Sequence, residues 1–578
     1  MTEKGSCRPL MAIVLLTLAA MLLGSCAWGV TQSADEVGAT KATLNGIVAD
    51  LQDGTATYWF EYGPTKNYGS QTPDRTIEIA DRNGHPVSED IDGLKPDIAY
   101  HYRLCAKHPD VQAFCGEDET FRTAEGPQRL SIETNPSLSP SFDPGVPDYV
   151  TRCDDGPVDV NVEAPVDTEV SVDHGPDQNG EFMTTVPLQA NQAFSFETTT
   201  DTGTSTYHVR CLPNGFPAYT FEKEGPIDGP TAWKWYLVTP SGWGAIYDGN
   251  GVPIWWLRDS GLNTLKWLAD GTLAFTTGPS GGKALQINDL EANVLNTLTT
   301  DGTPLDTHDY QLLPNGNYLL MSYKSRSNPT DLTDYGGPAD GIVEDAELQE
   351  VKPDGTVVWT WNSKDHIGLE ETGHWWDDSL LPQTHDNVYD VVHMNAAVVD
   401  GDDYVISLRH TDGIYKIDGE TGEIIWKLGG TPTPESLNVL DDPYATNPLG
   451  GQHDAMIRSD GTLTAHDNGQ LQGRPPRTVQ YEIDQGADTA RLLDSISDPD
   501  VPAAICCGSA RLSNSGSWLA SWGGAGTTPH PVIEYGPDGS HTFVLTFTGA
   551  SSYRATPVGT GQLTRSEIRA GMDAQHPR

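Results

Sequence analysis

At 578 residues, with 34 basic against 81 acidic side chains and a net charge of −47, the chain is too long for one ordinary domain and too acidic to favour nucleic acid or an anionic membrane surface. The same surface opposes anionic ligands, so any anion site needs its own local cluster of positive donors. Histidines and arginines gathered in one place are therefore the informative residues.

The N-terminus reads as an export signal over residues 1–25: Lys4 and Arg8 precede an uncharged run from Leu10 to Leu23 that is short for a membrane span. The run ends in Leu23-Gly24-Ser25-Cys26, which resembles the lipobox of bacterial lipoproteins. That resemblance implies a lipid anchor on Cys26 and a place at the cell surface or in the periplasm; a plain secretory signal is the alternative. With Cys7 and Cys26 set aside, six cysteines remain in a compartment that permits disulfides. Cys105 and Cys115 lie across a predicted hairpin, Cys153 and Cys211 are spaced to staple one β-domain, and the adjacent Cys506 and Cys507 form either a vicinal disulfide or two free thiols.

After the signal, short alternating apolar runs separated by Gly, Asp, Asn and Pro predict an all-β chain. Residues 29–125 contain "ATYWFEYGPTKNYG", "DGLKPDIAYHYRLCA" and "ETFRTA" and resemble a fibronectin type III domain. Residues 128–226, with "LSPSFDPGVPDYVTRC" and "TSTYHVRC", read as a second small β-sandwich. From 228 to 560 the texture changes to repeated strand, Asp-Gly-type turn, strand units, two hairpins to a unit, as a β-propeller requires. Five complete units can be counted. The lone hairpin at 243–257 and the lone inner strand at 551–558 join as a sixth blade that closes the ring, leaving 561–578 as a tail.

Three inner strands share a register: "HDYQLLPNGN" from His308, "HMNAAVVDGD" from His393 and "HDAMIRSDGT" from His453 each place a histidine seven residues before an Asn-Gly or Asp-Gly pair. Equivalent inner-strand positions sit at one height in a propeller, so the three histidines are expected at one mouth of its channel. Alternation sends Asn395 with His393 into the channel, and the hairpin after Asp400-Gly401 brings Arg409 back level with His393. His466 and Asn468 return near His453 in the same way. The insertion from about 362 to 390 is expected to overhang this entrance, with Trp375 and Trp376 either forming an aromatic wall for a flat substrate or anchoring the loop. Converging histidines suit a metal, but the permanent charge of Arg409 opposes a cation; the set is one of donors, and donors suit an anion.

Taken in order, "HDYQLLPNGN", "HMN", "SLRHTDGIYKI", "GEIIWKLGG", "QHDA" and "HDNG" resemble the cofactor-independent bacterial arylsulfate sulfotransferases, six-bladed propellers that move a sulfuryl group from a phenyl sulfate to another phenol. The resemblance implies that His453 is the nucleophile, forming a sulfohistidine. It further implies that His308, His393, Asn395 and Arg409 bind the sulfuryl oxygens and assist proton transfer, with Ser509 a candidate polar contact beside Cys506-Cys507. It implies small phenolic donor and acceptor as partners, and no metal, nucleotide or other cofactor. A non-catalytic binding propeller and a histidine-ligated metalloenzyme are the competing readings. Nothing in the sequence fixes an oligomeric state.

Overall fold

The computed structural model describes residues 27–578 apart from 51–53, 80–83, 109–111, 127–128, 155, 226–230, 279–282, 328, 330, 384–386, 525–530 and 560. Cys26 and the signal lie outside the described residues. The chain forms two compact units, one of 27–135, 158–186 and 195–206, the other of 136–157, 187–194 and 207–578. The strands of 128–226 are thus distributed between the units.

In the first unit a three-stranded sheet (Ala27–Asp35, Ala42–Asp50, His85–Ile91) accompanies a sheet built on Gly54–Gly63 and Ala99–Lys107. Alternate residues such as Leu44, Val48, Phe60, Tyr102 and Leu104 form its core, and Cys105 is bonded to Cys115. A separate antiparallel sheet of Ser131–Asn135, Val158–Ala164 and Gly180–Val186 belongs to the same unit.

The second unit is a β-propeller. Among the described residues six sheets of four main antiparallel strands follow one another, and their inner strands contact in sequence around a closed ring. The closing blade has Ser552–Val558 innermost, followed by Trp235–Pro240, Trp243–Asp248 and Pro253–Arg258. Sequence counting passes over the strand Trp235–Pro240 because all six of its residues are buried, so it shows no alternation. Closing the ring with strands from both ends of the propeller removes the open sheet edge that a linear array of blades would leave. Large aromatic side chains, Trp235, Trp255, Trp518 and Trp522 among them, fill the spaces between sheets and are fully buried. The tight turns require glycine in the left-handed region, as at Gly316 (φ 83°) and Gly461 (φ 82°).

Two additions belong to the same unit. Tyr149 and Thr151 pair in parallel with Val209 and Cys211, and Cys153 is bonded to Cys211. The expected tail carries a helix, Arg565–Gln575, opened by a capping box of Thr564 and Glu567. Its Ile568 and Met572 are buried in the propeller core, and Arg565 and Arg569 both pair with Asp148.

Candidate active site

His308 lies in Leu305–Leu312, His393 immediately precedes Met394–Asp400, and His453 opens His453–Ile457. All three strands break register at this level, between Leu305 and Tyr310, Met394 and Ala396, and His453 and Met456. Such bulges re-aim side chains. His393 (φ 48°) and Asp454 (φ 59°) also adopt left-handed backbone.

The imidazoles fall into two kinds. His308 Nδ1 lies 2.6 Å from Asp306 Oδ1, which also accepts the His308 backbone N–H at 2.9 Å. His393 Nδ1 meets the Asp390 carboxylate, and its backbone N–H donates to the same group at 2.9 Å. Burial alone would raise the Asp390 carboxyl, but the adjoining His393 overrides it and holds it down at about 2. The two rings are 5.0 Å apart, centroid to centroid. A carboxylate on Nδ1 orients a histidine and stabilises its protonated form.

Among the described residues His453 has no carboxylate partner. Its Nδ1 faces two acceptors, the Gly451 carbonyl at 3.0 Å and Asn468 Oδ1 at 2.9 Å. The Asn468 amide is fixed in that orientation because its Nδ2 donates to the Cys507 carbonyl at 3.1 Å. The ring proton therefore sits on Nδ1, and the Nε2 lone pair meets the backbone N–H of Cys507 at 3.2 Å. Burial, then the charge of Arg409 and of His393 and His308, pushes the His453 pKa well below the ordinary histidine value, leaving a neutral imidazole.

Arg409 is level with His393, whose carbonyl accepts its backbone N–H at 2.9 Å. Its guanidinium lies 4.6 Å from the centre of the Trp375 ring, with Nη2 donating to Gln470 Oε1 at 2.7 Å and to the Ile505 carbonyl at 3.3 Å. Nη1 lies 2.5 Å from His410 Nε2. The Nδ1 of His410 donates to the Asp390 carbonyl at 2.6 Å, so Nε2 is the acceptor and the ring is neutral. Burial and the adjoining His393 push the His410 pKa down to about 3. Tyr553 sits 5.9 Å from the His308 ring, and its buried hydroxyl has no hydrogen-bond partner among the described residues.

Residues 230–554 match the family Arylsulfotransferase (ASST), a span that contains every group just described. The chain belongs to the arylsulfotransferase family. Among solved structures it is similar to a quinonprotein alcohol dehydrogenase-like protein from Bacteroides thetaiotaomicron, at 10% identity over 70% of this chain and 96% of that one, with a TM-score of 0.28. It is also similar to a gluconolactonase from Xanthomonas campestris, at 10% identity over 56% of this chain and 88% of that one, TM-score 0.28. The sensor domain of the anti-sigma factor RsgI4 from Pseudobacteroides cellulosolvens shares 23% identity over 17% of this chain and 95% of its own, TM-score 0.15. No curated protein matches the chain by sequence. Family membership makes this an enzyme of the aryl sulfotransferase class.

The other residues expected in the arylsulfotransferase site are buried. Asn395 lies at the register break between Met394 and Ala396 and is fully buried, its Nδ2 donating at 2.7 Å to the carbonyl of Gln452, the residue before His453. Ser509 is also fully buried and staples the closing strand, accepting from Ala555 N–H at 3.0 Å and facing its carbonyl at 3.1 Å. Trp376 belongs to the core and donates to the Leu369 carbonyl at 2.9 Å. Trp375, 1% exposed, supports Arg409 from beneath, its indole N–H held by Asp412 at 3.0 Å. Both indoles therefore anchor the insertion and do not wall the entrance. His466 pairs opposite His453 but is buried against Trp522, 5.5 Å between rings, and its pKa is pushed down to about 4 by burial.

Asp306, Asp390, His410 and Tyr553 were not singled out from sequence. The first two had a signal, an aspartate two residues before His308 and three before His393. Asp390, His393 and His410 also bring ligand atoms within 4.8 Å of one another. The His410 lone pair already faces the Arg409 guanidinium, which opposes a cation there.

Proposed function

We propose that this arylsulfotransferase carries the sulfuryl group on His453, moving it from an aryl sulfate to a phenol in two displacements without a nucleotide carrier. The observation that carries the reading is the His453 ring itself: proton fixed on Nδ1, lone pair on Nε2, charge state held neutral, with Arg409 and two histidine–aspartate pairs around it. In the first displacement Nε2 bonds to sulfur as the sulfur–oxygen bond to the aryl group breaks, and the phenolate takes a proton from His308 or His393. In the second, the same histidine accepts the proton of the incoming phenol, whose oxygen bonds to sulfur as the nitrogen–sulfur bond breaks. Arg409 offsets charge on the sulfuryl oxygens throughout. A phenolate leaves readily because its conjugate acid has a pKa of about 10.

The reading also places the protein outside the cytoplasm. It is supported by the three disulfides, Cys105–Cys115, Cys153–Cys211 and Cys506–Cys507, in which every described cysteine is paired. The deciding experiment gives purified protein 4-nitrophenyl sulfate with and without phenol. Release of nitrophenolate that depends on phenol, and a sulfated peptide containing His453 when phenol is withheld, are the expected results. A sulfated residue elsewhere, or no transfer at all, overturns the assignment.

A further inference from the structure

The polar groups of the site converge on the backbone of residues 505–508. Arg409 Nη2 donates to the Ile505 carbonyl at 3.3 Å, Asn468 Nδ2 donates to the Cys507 carbonyl at 3.1 Å, and the Cys507 N–H donates to His453 Nε2 at 3.2 Å. The Gly508 N–H donates to the Tyr553 carbonyl at 3.1 Å. The segment is held from its other side by Gly524, whose carbonyl accepts the Ile505 N–H at 2.7 Å and whose N–H donates to the Cys506 carbonyl at 2.9 Å. Cys507 is in left-handed backbone (φ 65°), and Gly508 follows at φ 103°, where a Cβ would come within 2.5 Å of the His466 ring. Between these anchors Cys506 and Cys507 are bonded to each other, closing a small ring that leaves the intervening peptide little freedom.

We propose that the Cys506–Cys507 disulfide is a positioning element of sulfuryl transfer: it locks the Cys507 N–H against His453 Nε2, where it aims the lone pair and then donates to a sulfuryl oxygen once that lone pair has bonded to sulfur. The inference rests on the sulfohistidine reading. A lone pair cannot accept a hydrogen bond and bond to sulfur at once, so the buried N–H must change acceptor as the nitrogen–sulfur bond forms. The oxygens carried by that sulfur are the acceptors that arrive there. An N–H left without one would be costly, and a donor satisfied by the transferring group contributes where charge develops. The disulfide keeps this donor in place while its acceptor changes.

The test opens the bond in the full-length protein with a dithiol reagent. Two cysteine thiols form as the reagent closes to its own cyclic disulfide, with two electrons and two protons exchanged. Peptide mapping establishes that Cys506–Cys507 has opened while Cys105–Cys115 and the buried Cys153–Cys211 remain closed. Transfer from 4-nitrophenyl sulfate to phenol should then fall by roughly tenfold or more and recover on reoxidation. The acid limb of the pH–rate profile, set by protonation of His453 among Arg409, His393, His308 and Asn468, should move to higher pH, because the Cys507 N–H stabilises only the neutral ring. A loop that merely lowered the folded fraction would scale the rate at every pH without moving that limb. A C506A/C507A variant should reproduce both changes without reductant, and if it does not fold the reversible reduction of the natural chain decides alone. An unchanged rate and profile with the bond open overturns this inference and leaves the sulfohistidine reading intact. If the oxidised protein transfers no sulfuryl group, both fall together.

Discussion

His453 and Asp454 are consecutive in one inner strand, as His308 and Asp309 are in another, yet the four residues serve two different layers of the channel. At the mouth fewer groups are tied down: a neutral His453 whose Nε2 accepts the Cys507 N–H alone, a Tyr553 hydroxyl and an Arg409 Nε without partners among the described residues, and two histidines braced by aspartates. The other layer is closed by opposite charges. Arg554 Nη1 lies 3.2 Å from Asp309 and 3.3 Å from Asp454, Lys266 reaches Asp309 at 2.5 Å, and Arg511 grips Asp454 through both terminal nitrogens. Three cations against two carboxylates leave one positive charge beside the site. Charges buried with opposite charges specify an arrangement, even though Arg554 Nε and Nη1 and Asp309 Oδ2 lack well-aligned hydrogen bonds there.

That contrast breaks if the two layers respond alike to substitution. The largest expected effect is at the mouth: His453→Ala should lower sulfuryl transfer by more than about 10³-fold while the cooperative melt is retained, measured by nitrophenolate release and circular dichroism. In the closed layer Arg554→Met should cost about 2–3 kcal/mol of stability, because it removes the cation that bridges Asp309 and Asp454 and leaves each carboxylate a single cationic partner, Lys266 or Arg511. Urea unfolding reads this directly. The same layer makes stability depend on pH. Burial alone would raise the Asp309 carboxyl, but Lys266 and Arg554 hold it at about 2, below the ordinary carboxylate range. A depressed carboxyl contributes stability that is fully present above its unfolded pKa and is lost as pH falls through that value towards the folded one. Urea midpoints should therefore drop between pH 5 and pH 2, with a smaller drop in Asp309→Asn; equal drops would show that Asp309 is not held down by its partners.

A third substitution sharpens the division within the mouth. Asp390→Asn replaces the carboxylate on His393 Nδ1 with a neutral amide, removing the anion that would offset charge on the ring during proton transfer. Transfer should fall by about 10²-fold, and most for phenols of high pKa, whose leaving group depends most on a delivered proton. A uniform loss across leaving groups would instead make Asp390 a structural support.

The ring of blades was legible because glycine turns and alternating strands recur at fixed spacing, and the histidine register followed from them. What the spacing does not carry is the bulge at each histidine. Because His393 and Asp454 turn through left-handed backbone, His453 and Asp454 take separate roles, whereas alternation predicts only one inward residue of each pair. Asn395 is fully buried at such an irregularity. Aromatic character drew attention to Trp375 and Trp376 without indicating depth, and only the fold reveals that Asp412 draws Trp375 down beneath Arg409. Tyr553 was hidden for another reason: it lies on the strand that closes the ring, far in sequence from the histidines it joins.

The smallest expected effect is at Arg409. A guanidinium carries five N–H donors in a fixed plane. Here three contacts are already made, to His410, Gln470 and the Ile505 carbonyl, while Nε has no partner. The plane lies over Trp375, so its direction is fixed before substrate arrives. A lysine at this position has its donors on a single nitrogen at the end of a flexible stem. It can replace one or two of the standing contacts or meet a sulfuryl oxygen, but it cannot hold the planar fork while doing so. Arg409→Lys should therefore lower kcat by about tenfold, with a smaller change in KM, because the lost donor matters most where charge develops on the oxygens. Steady-state kinetics with 4-nitrophenyl sulfate separates the two constants. An unaltered kcat with a raised KM would assign Arg409 to holding the ground-state sulfate ester, and an unaltered pair would remove it from the mouth altogether.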